Sequence, residues 1–210
     1  MKTIVWTQPS RIFHWYIATG FVLAYSLSDY IQVHAAIGLS VGVILLFRII
    51  WGVMGPRYSR FTDFPISLRR IKALVLNPKE EERKYTGHNP LAALVMLLLI
   101  ADGIAVAITG LVTALSDDSA FFGTALFSNY EGHKETHELL VNLLIVLAIS
   151  HLLGLGASHL HNREMEVSKS MFTGFKRMHG INANLTLLQK IIALAAALTT
   201  IATLTVVLIQ

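Results

Sequence analysis

The sequence predicts an all-α integral membrane protein whose helices cross the membrane five times. Of its 210 residues, 54% are hydrophobic and only 14% are charged, whereas a soluble domain carries about a quarter charged residues. Five apolar segments are each close to the roughly 20 helical residues that cross a hydrocarbon core of about 30 Å. These predicted spans cover residues 11–27, 33–54, 90–115, 137–157 and 187–209.

The basic residues predict how these spans are oriented. Five spans place the N-terminus, the loop 55–89 and the segment 158–186 on one side, here called the basic side. Of the 17 lysines and arginines, all except Lys134 lie there or at helix ends that face it. Because Lys and Arg accumulate in cytoplasmic loops, we expect a cytoplasmic N-terminus and a C-terminus on the opposite, outer side. The positive charge then sets topology, and nucleic-acid binding is not predicted.

The chemistry of any redox group is limited by the absence of cysteine. Without thiolates there is no iron–sulfur cluster, no thiolate zinc site and no covalent c-type haem. The chain does carry nine histidines, and an ionisable residue inside a membrane span is a functional candidate because burying it is costly. Neutral imidazole is also an axial ligand of haem iron.

Four histidines fall at two matching depths in the predicted spans. His137 and His151 are 14 residues apart on the fourth span, which is about 21 Å along one helical face. His14 begins the first span near the basic side, and His34 begins the second near the outer side. Depth therefore pairs His14 with His151 (the inner pair) and His34 with His137 (the outer pair). The prediction is two b-type haems in a four-helix bundle, with these four residues as iron ligands.

Two arginines and two glycines extend this pattern. Arg48 is also 14 residues after His34, so it lies at the inner level, where a guanidinium can bind haem propionates; alternatively, it extends to the interface as a surface cation. Arg11 is a second candidate for propionate binding. Gly38 and Gly42 follow His34 by one and two turns, and either leave room for a flat macrocycle or pack helices closely.

His88 and Asp102 each have two open interpretations. His88 precedes Asn89 and Pro90, a pair that can cap and begin the third span; it is either part of this helix start or a ligand of a propionate or quinone oxygen at the inner haem. Asp102 lies near the middle of the third span, where it either relays protons or bonds a neighbouring helix.

With these residues the chain resembles the bacterial cytochrome b561 family, which includes the b-type subunits of nickel–iron hydrogenases. The likeness covers about residues 3–178. Its most specific element is His137-Glu138, followed by His151 after fourteen residues. The other matching pieces are Arg11-Ile12-Phe13-His14-Trp15, Val33-His34, Phe47-Arg48-Ile49-Ile50-Trp51-Gly52, Gly55-Pro56-Arg57-Tyr58 and Gly87-His88-Asn89-Pro90.

The resemblance implies a four-helix di-haem core in the bacterial inner membrane that passes electrons between quinone and a redox partner. It also implies that His14, His34, His137 and His151 are the ligands. The fifth span departs from the family because it has no histidine, and we expect it to dock a partner or a second copy. We expect a core in 1–160, a connecting segment in 161–186 and the additional helix in 187–210.

Three functions are compatible with these residues. The first is an electron-transfer cytochrome that links the quinone pool to an outer-face redox protein such as a cytochrome c, a dehydrogenase or a hydrogenase. The second is a stand-alone oxidoreductase that acts on a small molecule such as superoxide at the outer haem. The third is a scaffold or transporter without haem. The outer segment 116–136 has several acids and only Lys134, which favours a protein partner and therefore the first function over a stand-alone enzyme.

Overall fold

The computed structural model describes residues 1–117 and 130–209. Its framework is five long helices, joined at the basic side by three short helices and a small antiparallel sheet of two strands, β1 and β2. In chain order the elements are β1 (Thr3–Ile4), α1 (Gln8–Ser26), α2 (Ile31–Met54), α3 (Leu68–Leu76), α4 (Pro78–Glu82), α5 (Pro90–Asp117), α6 (Tyr130–His161), α7 (Val167–Thr173), β2 (Phe175–Lys176) and α8 (Leu187–Ile209).

The chain is a multi-pass membrane protein, as predicted. Within the described residues, α2, α5, α6 and α8 are long and apolar enough to cross a membrane. Helix α1 has 19 residues, about 28 Å at 1.5 Å per residue. Its polar residues Gln8, Arg11 and His14 reduce its mean hydropathy, and its membrane crossing stays a prediction.

The helix bounds agree with the predicted spans except at α6. That helix begins at Tyr130, seven residues before the predicted span, because Glu131, Lys134 and Glu135 continue the helix beyond the apolar segment. His137 therefore lies inside the helix rather than at its start. The predicted outer contact segment 116–136 falls partly on residues 118–129, which lie outside the described residues.

Helix α2 is the centre of the bundle and packs against α1, α5 and α8. Phe13 of α1, Phe47 and Trp51 of α2, and Ala196 of α8 belong to one buried cluster. The additional helix α8 is thus packed onto the core.

Small residues permit close contact between helices in a membrane. An added Cβ at Gly42 would lie 2.8 Å from the Cβ of Ala107. One at Gly103 would lie 2.9 Å from a methyl carbon of Leu45. Both contacts hold α2 against α5.

The three segments predicted to share the basic side meet at one end of the bundle. Thr3 of β1 pairs with Lys176 of β2, and the Tyr58 hydroxyl donates to the Ile181 carbonyl over 2.9 Å. The Asn89 side-chain oxygen accepts from the Ala92 backbone N–H at 2.8 Å, which confirms Asn89 as the cap of α5. The first two contacts join the N-terminus and the loop 55–89 to the segment 158–186, and the third fixes the start of α5.

Candidate haem-binding site

The outer histidines face each other across the bundle. The ring centres of His34 on α2 and His137 on α6 lie 6.1 Å apart. The Nδ1 of His34 lies 2.8 Å from the Ala24 carbonyl, and the Nδ1 of His137 lies 3.1 Å from the Val106 carbonyl. Because a carbonyl only accepts, each Nδ1 carries the proton, which leaves each Nε2 lone pair free to bind a metal.

The inner histidines also face each other. The ring centres of His14 on α1 and His151 on α6 lie 6.3 Å apart. Helix α6 supplies one member of each pair from one face, and His14 and His34 supply the others from α1 and α2. These are the two pairs that depth matching predicts.

Both separations fit an iron atom bound between two imidazoles. A metal–imidazole bond of about 2.0 Å, with each ring centre about 1.1 Å beyond its nitrogen, places the ring centres about 6 Å apart. The described residues contain no group of three or more His, Asp or Glu placed to hold a metal ion. The four histidines form two separate pairs. This arrangement fits two haems that are each bound by two imidazoles.

The glycines near the histidines fall into two classes. An added Cβ at Gly38 would meet no atom within 4 Å, and the same is true of Gly154, three residues after His151. Gly42 contacts Ala107 closely, as described above. Of the two sequence-based interpretations, close packing applies to Gly42, while the space beside Gly38 fits a macrocycle at the outer pair.

Arg48 lies near the inner level with a guanidinium nitrogen that lacks a partner. Its Nη2 contacts the Met96 sulfur at 3.7 Å, and its guanidinium carbon lies 5.4 Å from the centre of the Phe61 ring. Its Nη1 is buried without a hydrogen bond among the described residues. A buried, unsatisfied cationic donor is costly, and a carboxylate such as a haem propionate would satisfy it.

His88 lies between aromatic rings beside the inner pair. Its ring centre is 4.7 Å from that of Trp6 and 5.2 Å from that of Phe64, and its Nδ1 is buried without a described partner. Burial lowers the pKa of His88 well below its usual value, and the charges of Lys176 and Arg48 lower it further, followed by those of His151 and His14. The lowered pKa favours the neutral form of His88 at pH 7.

Lys176 belongs to this region, and the sequence does not reveal it. The side chain is 4% exposed, its Nζ donates to the Gly87 carbonyl at 2.6 Å, and it lies 5.7 Å from the Trp6 ring centre. Burial lowers its pKa to about 8, against a smaller opposing effect of Glu82. In sequence it is one of four lysines and arginines in the segment 158–186, and only the pairing of Thr3 with Lys176 brings it here.

Arg11 and Asp102 have different surroundings. The Nη1 of Arg11 donates to the Phe172 carbonyl at the end of α7, while its Nε is buried without a described partner. Asp102 is 7% exposed and its Oδ2 has no hydrogen bond among the described residues. The haem-binding roles of Arg11, Arg48 and His88 stay predictions.

Comparison with known proteins places the chain among membrane cytochromes. The profile of the family described as prokaryotic cytochrome b561 matches residues 5–174. The chain is also similar to a protein of Rhodobacter capsulatus named probable Ni/Fe-hydrogenase B-type cytochrome subunit. The two are 28% identical over an alignment of 213 positions, which covers 82% of this chain and 80% of the relative. No solved structure matches the chain.

Proposed function

The chain belongs to the prokaryotic cytochrome b561 family, and we propose that it carries electrons across the membrane through two haems, each held by one histidine pair. Membership makes it a b-type cytochrome of membrane electron transfer. The number of haems and their ligands are our proposal. It rests above all on two facing pairs of histidines, with ring centres 6.3 and 6.1 Å apart.

The ligand set determines the kind of chemistry. With two histidines as iron ligands at each haem, the bound group would supply electron transfer rather than oxygen binding. The protein orients the rings: the Ala24 and Val106 carbonyls hold the outer pair. Arg48 supplies a cation at the inner level. The pairs are separated by about 21 Å along α6, so together they connect the two sides of the membrane.

We further propose that the electron donors and acceptors are quinone and an outer redox protein. The relative of Rhodobacter capsulatus is named as a hydrogenase cytochrome subunit, which supports a partner enzyme for this chain. The acidic outer residues favour docking of a protein over attraction of a small anion such as superoxide. Quinone, as a lipid-soluble carrier, would exchange electrons from within the bilayer.

Proteoliposomes test the transmembrane step. The purified protein is reconstituted into vesicles that contain ferricyanide, and a reduced quinol is added outside. We expect loss of ferricyanide absorbance only in vesicles that contain the protein, and loss of this activity in His34→Ala. The proposal would be wrong if the haems became fully reduced while enclosed ferricyanide stayed unconsumed.

A further inference from the structure

Two open cavities lie side by side where α1 begins. The first, of about 500 Å³, is bordered by β1, the start of α1 and the segment that leads into α8, and includes Lys190. The second, of about 530 Å³, follows α1 beside the end of α7. Gln8 and Arg11 line both, so the two form one continuous groove at the basic side. We call this the α1 groove.

The first cavity is positively charged. Arg11 and Lys190 are the charged residues among those that line the two cavities, and no carboxylate is among them. Within residues 1–117 and 130–209, neither cation forms an ion pair, since the salt bridges there join Arg60–Asp63, Arg83–Glu164, Lys84–Glu81 and Arg177–Glu166. The buried Nε of Arg11 also lacks a partner there. Two unneutralised cations beside an open cavity favour an anionic ligand.

The second cavity is mostly apolar and runs along the helix. Ile12, Trp15 and Thr19 line it from α1, and Phe172 lines it from α7. Positions 12, 15 and 19 share one helical face over two turns, so the groove follows the helix axis away from the charged end. Ile12 is 55% exposed and Phe172 is 65% exposed.

Trp15 marks the depth of this apolar part. Its indole N–H donates to the Met171 carbonyl at 3.2 Å, and tryptophan is enriched at the membrane–water interface. The polar head of the groove therefore lies at headgroup level, and its apolar part extends toward the hydrocarbon. This shape is complementary to an amphiphile with an anionic head and a long chain.

We propose that the α1 groove binds an anionic phospholipid. Its phosphate would lie between Arg11 and Lys190, and an acyl chain would follow Ile12, Trp15 and Thr19. Basic pockets between transmembrane helices are known to bind anionic headgroups. In this arrangement Arg11 binds the lipid phosphate rather than a propionate of the inner haem. Arg48 remains the arginine near the inner histidines.

Lipid titration of the whole purified protein tests this proposal. The delipidated protein is titrated in detergent with phosphatidylglycerol or phosphatidylcholine, and bound lipid is measured by native mass spectrometry. We expect phosphatidylglycerol to bind more tightly. Lys190→Gln and Arg11→Gln should each weaken its binding about fivefold, which corresponds to about 1 kcal/mol per basic residue near an anionic headgroup.

The controls separate a lipid site from general attraction. Lys72→Gln removes an exposed charge from α3 on the same side, outside the groove, and should leave binding unchanged, while Lys190→Arg should retain it. Equal binding of the two lipids to the unmodified protein would overturn the proposal, even if a variant failed to fold. An equal loss in Lys72→Gln would also overturn it. So would displacement of phosphatidylglycerol by an equal concentration of inorganic phosphate, because the site would then be for an anion without a chain.

Discussion

Glu82 offers a sharp test of how the basic end positions the inner histidines. This carboxylate is 6% exposed. It accepts a hydrogen bond from the Ser158 hydroxyl and one of 2.8 Å from the Asn162 amide. The Arg83 Nε donates to the Asn162 side-chain oxygen at 3.1 Å, which fixes the orientation of that amide. Together these bonds attach α4 to the end of α6, two turns beyond His151.

The size of the effect follows from the groups left unpaired. Glu82→Leu leaves the buried donors of Ser158 and Asn162 without acceptors, at about 1–3 kcal/mol each, and also removes a long contact of 3.5 Å from the Asn89 amide, so we expect a loss of about 4 kcal/mol. Glu82→Gln can still accept from Asn162 and donate to the hydroxyl oxygen of Ser158. It loses the contribution of the charge, about 1 kcal/mol, and the long contact of 3.5 Å from the Asn89 amide. Glu80→Leu on the same short helix, at an exposed position, should change little.

The assay is thermal unfolding in detergent, with haem absorbance recorded in parallel. We expect Glu80→Leu to have the highest unfolding temperature, Glu82→Gln an intermediate one and Glu82→Leu the lowest. Because Ser158 lies on the same helix as His151, the inner haem should be released before the outer one in Glu82→Leu. Equal unfolding temperatures for Glu80→Leu and Glu82→Leu would refute this reasoning.

Four further variants test separate parts of the structure. Gly38→Leu should lower outer haem content, measured by haem absorbance per chain, while retaining the helical circular dichroism signal; Gly42→Leu should instead lower the unfolding temperature, because α5 lies against it and overpacking costs about 1–3 kcal/mol. Normal haem content in Gly38→Leu would count against its place beside the macrocycle. Asn89→Ala should lower stability by about 1 kcal/mol through loss of the cap, and an unchanged unfolding temperature would contradict this. The pKa of Lys176 is about 8 in the folded protein and 10.5 in its ordinary state, so the unfolded chain binds more protons between these values and stability should rise with pH by up to about 3 kcal/mol. Lys176→Met should abolish that rise, and an identical pH dependence in the variant would contradict the assignment.

The sequence is most informative about features that depend on local periodicity. The apolar segments predict the helices, and the spacing of 14 residues predicts that His137 and His151 share a face. The cap at Asn89 is predictable because its signal is confined to a few neighbouring positions. The early start of α6 was missed because charged helix-forming residues continue a helix beyond the apolar segment.

The residues that sequence reasoning missed depend on distant contacts. Lys176 is indistinguishable in sequence from the exposed basic residues near it, Lys169 and Arg177, and its burial results from pairing with Thr3. Glu82 lies in a charged run that suggests a solvated surface, yet its partners are Ser158, Asn162 and Asn89. Such contacts between residues distant in sequence produce no periodic pattern of residues, so only the folded structure identifies them.

Haem stoichiometry in double variants tests the central claim most directly. The pyridine haemochrome assay is applied to purified, monodisperse protein, to His14→Ala/His151→Ala and to His14→Ala/His34→Ala. If each facing pair holds one haem, the unmodified chain contains two, the first double variant contains one and the second contains none. Loss of all haem from His14→Ala/His151→Ala would contradict the assignment of the pairs. Retention of one haem per chain by His14→Ala/His34→Ala would contradict it as well.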